Sequence, residues 1–220
     1  MDVQQAKLHL ESSMLIGVDF LPVATQIETA QETDPTALLE QLSMEHDSTC
    51  EHCTHTTHYT QTVFGVGNPN AQLMFIGEAP GAEEDQQGIP FVGEAGKKLD
   101  EIITAMGMQR EDVYIANVLK SRPPNNRTPS PDEVAKCAPF LGKQVAVIQP
   151  KVIVALGGSA TKYLLGTTTG ITQLRGKWGS YDGISVMPTF HPAYLIRNYT
   201  KETRAQMWSD MQQVMAKLRE

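Results

Sequence analysis

Four stretches of this 220-residue chain carry side chains whose type and spacing suit chemistry. The first runs Gly77-Glu78-Ala79-Pro80-Gly81-Ala82-Glu83-Glu84-Asp85 and continues as Gly88-Ile89-Pro90-Phe91-Val92-Gly93. Its glycines let backbone come close to a ligand, three consecutive acids crowd one loop, and Phe91 offers an aromatic face. A phosphate cradle fits poorly, because no lysine follows the glycines and the acids repel phosphate. An acidic surface loop around a core phenylalanine accounts for the same residues. The second is Asn117, which follows an apolar run. A side-chain amide at a strand end presents a donor and an acceptor together, which suits the edge of a base and also suits a turn. The third is Thr189-Phe190-His191-Pro192-Ala193-Tyr194-Leu195-Ile196-Arg197, where His191 is the only histidine after residue 60. It reads as a functional imidazole or as a structural one. The fourth is Cys50-Glu51-His52-Cys53-Thr54-His55-Thr56-Thr57-His58, which crowds metal-capable side chains. Zinc taken by Cys50, Cys53 and a nearby histidine is one reading of it.

The elements that must position these residues alternate. Leu73–Ile76, Val113–Val118, Val152–Leu156 and Ile184–Pro188 read as short buried strands. Glu94–Met106 has helical apolar spacing, and Ser130-Pro131-Asp132-Glu133 is a helix start whose helix should reach Ile148. Gly157-Gly158-Ser159 turns into a helix through Leu165, and Lys201–Leu218 is a terminal helix. Gly77–Gly93 is too rich in glycine and proline to be regular, and residues 189–197 read as a loop. Strands separated by helices predict an α/β fold with a mostly parallel four-stranded sheet covered on both faces. In such sheets the site lies beyond the carboxyl ends of the strands, so the loops at Glu78, Asn117 and His191 should share one cleft.

Composition narrows the class. No run approaches the roughly 18 apolar residues of a membrane span. The N-terminus lacks a basic region before a long apolar stretch, so no secretory signal is expected. Three cysteines argue against a disulfide scaffold and fit the reducing cytoplasm. The net charge of −7 is uneven. Residues 1–60 hold ten acids and one base; the rest holds seventeen bases and fifteen acids. The body is therefore slightly basic, which removes one objection to nucleic-acid binding. Residues 1–48 read as an acidic, weakly structured extension, with a helical pattern over Val3–Leu15, serving as a tether or a protein-docking arm. Residues 49–220 form the expected domain.

Taken in order, these stretches resemble the uracil-DNA glycosylases of the iron–sulfur type, family 4. The resemblance rests on Gly77-Glu78-Ala79-Pro80-Gly81 with Glu84-Asp85, Pro90-Phe91-Val92-Gly93-Glu94-Ala95-Gly96, Asn117-Val118-Leu119-Lys120 with Arg122-Pro123-Pro124-Asn125-Asn126-Arg127-Thr128-Pro129, Ala155-Leu156-Gly157, and His191-Pro192-Ala193 with Leu195. It covers residues 50 to 198 and implies a three-layer α/β/α sandwich and a monomer acting on uracil-containing DNA. The resemblance implies that Phe91 stacks on a flipped uracil, that Asn117 reads its edge, and that His191 donates to O2. In the best-known branch an acid precedes the loop proline; Ala79 stands there and only lines the substrate. Glu78 and Glu84 are then the candidate carboxylates for the water and the sugar cation. Lys120, Arg122, Arg127 and Arg197 are expected at the DNA, with Tyr194 and Leu195 as wedges into the duplex.

The family implies a 4Fe–4S cluster on four cysteines. Cys50, Cys53 and Cys137 match three of them, and Ser121 occupies the fourth place. Three readings follow: Ser121 ligates an iron by its oxygen, three thiolates hold a three-iron cluster, or no cluster forms and the thiols stay bare or take zinc. Two rivals to an enzyme are a relative that traps uracil-DNA without turnover and a metal-binding DNA-interaction module. The connection from Asn117 to Pro131 lacks the histidine-bearing basic insertion of the trapping branch.

Overall fold

Four apolar runs become the middle of the sheet in the computed structural model, which describes residues 34–55 and 58–220. They are β2 (Leu73–Gly77), β3 (Tyr114–Asn117), β4 (Val152–Leu156) and β6 (Ile184–Thr189). All residues of β2, β3 and β4 are buried, as expected of parallel strands covered on both faces. The four pair in parallel, in the order β3-β2-β4-β6. Two further strands, β1 (Val66–Gly67) and β5 (Gly179–Tyr181), add antiparallel edges. Among the described residues the sheet thus has six strands where four were expected. The two extra strands are two and three residues long and each includes a glycine, so neither shows an alternating pattern.

Alternate side chains of the strands feed two cores. Leu73, Phe75, Val152 and Val154 face helices α4 (Glu94–Ala105) and α9 (Lys201–Arg219), with Leu99, Ile103, Met207 and Met211 against them. Met74, Ile76, Ile153 and Ala155 face α5 (Pro131–Ile148) and α6 (Gly158–Leu165). That is a three-layer α/β/α sandwich. Helix α5 begins in a capping box. Ser130 Oγ accepts from the Glu133 N–H at 3.3 Å, and Glu133 Oε2 accepts from the Ser130 N–H at 2.7 Å.

Residues 34–49 differ from the expected loose extension. Asp34 caps α1 (Pro35–Thr49) by accepting from the Thr36 N–H at 3.0 Å. The helix buries Leu39, Leu42 and His46 on one face and packs on α5. The spacing of 3 and then 4 is helical, but the helix is only weakly amphipathic and a Thr/Glu-rich stretch precedes it. A short helix, α2 (Glu51–His55), follows. The helix expected over Val3–Leu15 lies outside the described residues. Two segments read as irregular hold short helices: α3 (Ala82–Gln87), stopped by Gly88 at φ +70°, and α8 (Pro192–Arg197). Helix α7 (Ile171–Leu174) is a single turn. Among the described residues no helix is long and apolar enough to cross a membrane.

Candidate active site and metal centre

The chain leaves β2 for β3 on one side and later crosses to β4 on the other, which opens a crevice at the carboxyl ends of the strands. Gly77 pairs with Asn117, and Leu156 with Thr189, so the residues after each strand arrive at one level. They surround a cleft of about 470 Å³ whose wall includes Glu78, Ala79, Phe91, Asn117, His191 and Arg197. The three loops expected to meet do so.

Asn117 is 1% exposed, and its Oδ1 has no hydrogen-bond partner among the described residues. A buried acceptor left unpaired costs about 1–3 kcal/mol, so its presence on a cleft wall points to a ligand that donates to it. Gly77 makes the place for it. A Cβ there would stand 2.3 Å from Asn117 Oδ1 and 2.6 Å from the Phe91 ring. Phe91 holds a left-handed backbone at φ +54°, uncommon for an aromatic residue, and a Cβ on Gly96 would meet its carbonyl at 1.9 Å. The Phe91 ring stacks on that of His191, centroids 5.6 Å apart.

His191 caps α8: its Nδ1 accepts from the Ala193 N–H at 3.2 Å, which leaves Nε2 carrying the proton. Burial, helped by the positive charge of Arg197, pushes its pKa down to about 4. It is therefore a neutral donor at working pH. Gly157, at φ +88°, has no Cβ to crowd the 3.0 Å space beside the His191 Cβ.

The two candidate carboxylates separate. Glu84 accepts from the Gly81, Val92 and Gly93 N–H groups at 3.0, 2.9 and 2.9 Å. Its oxygens tie the two halves of the loop together. Glu78 lines the cleft, and its carboxylate has no hydrogen-bond partner among the described residues.

Of the expected DNA contacts, two are corrected. Lys120 is wholly buried: its Nζ donates to the Asn117 carbonyl at 2.8 Å and to Gln144 Oε1, and burial lowers its pKa to about 7. It cannot reach a phosphate. Leu195 is 3% exposed and belongs to the core, because α8 turns it inward. Tyr194 is partly buried and stacks on Phe190 at 4.7 Å, so a wedge role would first have to break that pair. Arg122 stays at the surface with its Nε on Asn126 Oδ1 at 2.7 Å. Arg127 is exposed and forks onto Glu133 at 2.6 and 2.7 Å. Arg197 is exposed at the cleft.

Cys50, Cys53 and Cys137 are buried, and none is in a disulfide. His46 joins them: its Nε2 lies 3.3 Å from Cys53 Sγ and 3.9 Å from Cys137 Sγ. The four donor atoms lie within 4.8 Å of one another. Crowding splits the thiols, with Cys137 and Cys53 holding Cys50 low while Cys137 and Cys50 push Cys53 up. For His46, burial lowers the pKa, but the thiols and Asp47 outweigh it and raise it to about 9. Buried thiols with an imidazole are a donor set for soft metals, so the residues present fit a metal centre. Ser121 is buried beside them, and its Oγ accepts from the Cys53 thiol at 3.5 Å. His46 was not singled out from the sequence, since it precedes the Cys-x-x-Cys pair in a stretch read as extension. Its place four residues before Cys50, one helical turn, was the available signal.

The family model for the uracil DNA glycosylase superfamily matches residues 64–212. The chain belongs to this superfamily. It is similar to the type-4 uracil-DNA glycosylase of Thermotoga maritima, with 45% identity over 79% of this chain and 92% of that one. The type-4 enzyme of Archaeoglobus fulgidus is 42% identical over 75% of this chain and 86% of its own. That of Sulfurisphaera tokodaii is 45% identical over 68% and 72%. The match to the superfamily spans every strand of the sheet and the cleft residues Glu78, Phe91, Asn117 and His191.

Proposed function

We propose that this glycosylase takes a uracil nucleotide out of the DNA stack into the 470 Å³ cleft and hydrolyses its N-glycosidic bond, leaving an abasic site. The unpaired Oδ1 of Asn117 carries the reading. It accepts from uracil N3–H while the amide nitrogen donates to O4; cytosine presents the opposite pattern and is refused. Phe91 supplies a flat face. The bond from C1′ to N1 breaks with its electron pair going to uracil, and His191 Nε2–H donates to O2 as that charge develops. A donor aimed there works mainly in the transition state. Glu78 holds the water that adds to C1′, takes the proton that water loses, which the uracil anion then regains, and offsets the positive charge on the sugar. Arg122, Arg127 and Arg197 contact phosphates, which set register without reading sequence.

The thiolate group holds a metal that ties residues 46–53 to α5 and to the loop after β3. The resemblance to family 4 supports a 4Fe–4S cluster. The donors' spacing within 4.8 Å supports a second reading, a single zinc ion, whose tetrahedral thiolates stand about 3.8 Å apart. No step of hydrolysis passes through either.

The test is excision from a uracil oligonucleotide, followed by alkali and a gel. Cleaved product is expected. A stable shifted complex without product would mean a trap, and neither signal would mean a binding module. Asn117→Ala should lose about 100-fold in single-turnover rate with the fold intact, and Glu78→Gln should lose rate while DNA affinity stays. Wild-type rates in both variants would overturn the assignments.

A further inference from the structure

The serine at position 121 removes one thiolate from the metal centre, and the structure places another donor beside the three that remain. His46 is 0% exposed, and its ring is locked from three sides. It packs at right angles to the Phe140 ring with centroids 4.9 Å apart, Phe64 lies 5.8 Å away, and Asp47 Oδ1 accepts from Nδ1 at 2.9 Å. Asp47 is itself held, accepting from Thr62 Oγ1 at 2.8 Å. A carboxylate on one ring nitrogen fixes the tautomer and aims the lone pair of the other; this is the usual support of a metal-bound histidine. Here the aimed atom is Nε2, which faces Cys53 Sγ and Cys137 Sγ and shares a group within 4.8 Å with Cys50.

Ser121 is arranged differently. Its oxygen accepts from the Cys53 thiol at 3.5 Å, while the Lys120 N–H donates to Cys137 Sγ at 3.2 Å. The Lys120 donor stabilises a thiolate from outside the ligand set. To bind a metal, serine would have to lose its proton, and its hard alkoxide suits a soft metal less than imidazole does.

We propose that His46, and not Ser121, is the fourth protein ligand of this centre, which is therefore a Cys3His site built from α1, the Cys-x-x-Cys turn and α5. This rests on the metal reading given above. Imidazole is neutral where cysteine thiolate is anionic, so the centre carries one negative charge fewer than a four-cysteine one. If the metal is an iron–sulfur cluster, its potential is higher than that of the four-thiolate form.

The experiment is metal and sulfide analysis of the full chain purified without oxygen, for the wild type, His46→Ala, His46→Cys and Ser121→Ala. Four irons with four sulfides, or one zinc, identifies the metal in the wild type. His46→Ala should lose at least half of it, His46→Cys should retain it, and Ser121→Ala should retain it. Nitrogen coupling in the spectrum of a reduced cluster, or one nitrogen and three sulfur neighbours in zinc X-ray absorption, should vanish in His46→Cys. Metal retained in His46→Ala but lost in Ser121→Ala would overturn the proposal. So would a wild-type centre with no nitrogen ligand. A wild type that holds no metal after reconstitution would overturn the metal reading itself and this assignment with it.

Discussion

Gly77 is the position where one methyl group should cost most. Its Cβ would lie 2.3 Å from Asn117 Oδ1 and 2.6 Å from the Phe91 ring, and contacts of that kind need about 3.4 Å. Either the new methyl or both neighbours must therefore move by about 1 Å. Asn117 is anchored by the Lys120 ammonium on its carbonyl and by its register with Gly77. Phe91 is pinned because Gly96 packs on its carbonyl. A misplacement of 1 Å at reacting groups is worth about 100-fold in rate. Gly77→Ala should thus lower the single-turnover rate of uracil excision about 100-fold while affinity for uracil-free DNA is unchanged. The clash lies in the free protein, so melting temperature should also fall by a few degrees. A stopped time course with enzyme in excess over a uracil oligonucleotide measures the rate. A rate within 3-fold of wild type in a folded variant would refute the view that Gly77 makes room for the base-reading pair.

Three more outcomes follow from individual side chains. His191 titrates near 4 when folded and near 6.5 when unfolded, so as pH falls from 6.5 to 4 the unfolded chain binds the proton first and stability is lost through that window. His191→Gln should flatten the fall in melting temperature between pH 6.5 and 4. In the wild type the single-turnover rate should show no inflection from this group between pH 5 and 8. Lys120→Met should lower stability, because the Asn117 carbonyl and Gln144 Oε1 lose their donor, yet leave the salt dependence of DNA binding as it was. Arg122→Ala or Arg197→Ala should instead reduce that salt slope by about one. Glu84→Gln should destabilise the fold by weakening three backbone contacts, and its rate loss should be largely restored at lower temperature, whereas that of Glu78→Gln should persist at all temperatures.

The parts legible in the sequence were those specified locally. Val152–Leu156 is apolar throughout, and Ser130-Pro131-Asp132-Glu133 caps a helix by its own side chains, so both were found at their observed ends. The cleft was legible because strand ends of a parallel sheet converge. What was hidden depends on tertiary neighbours. Nothing local distinguishes a buried lysine from a surface one; Lys120 is buried because Asn117 and Gln144 wait for its ammonium. Leu195 looked exposed while residues 189–197 were a loop, and the helix that His191 caps turns it inward. The edge strands exist only because β3 and β6 offer them hydrogen bonds.

The five residues from Asn117 to Ser121 connect the two sites directly. Asn117 is the residue proposed to read the base; three residues on, the Lys120 side chain returns to hold the Asn117 carbonyl, and its N–H donates to Cys137 Sγ at 3.2 Å. Val63 N–H pairs with the Lys120 carbonyl at 2.7 Å, which brings in the segment just past the Cys-x-x-Cys turn. A metal on Cys137 therefore fixes the backbone from which Asn117 is aimed, although it lies outside the cleft. In a family whose members place a cysteine at position 121, that residue would serve two ends, ligation and the anchoring of this segment. Here the anchoring is kept by the Lys120 N–H on Cys137 Sγ and by the Cys53 thiol on Ser121 Oγ, and in our proposal ligation passes to His46 on another element. Splitting the two duties makes a clear distinction. Losing the metal should loosen Asn117 and weaken discrimination of uracil from cytosine before it abolishes excision. Losing Ser121 alone should do neither.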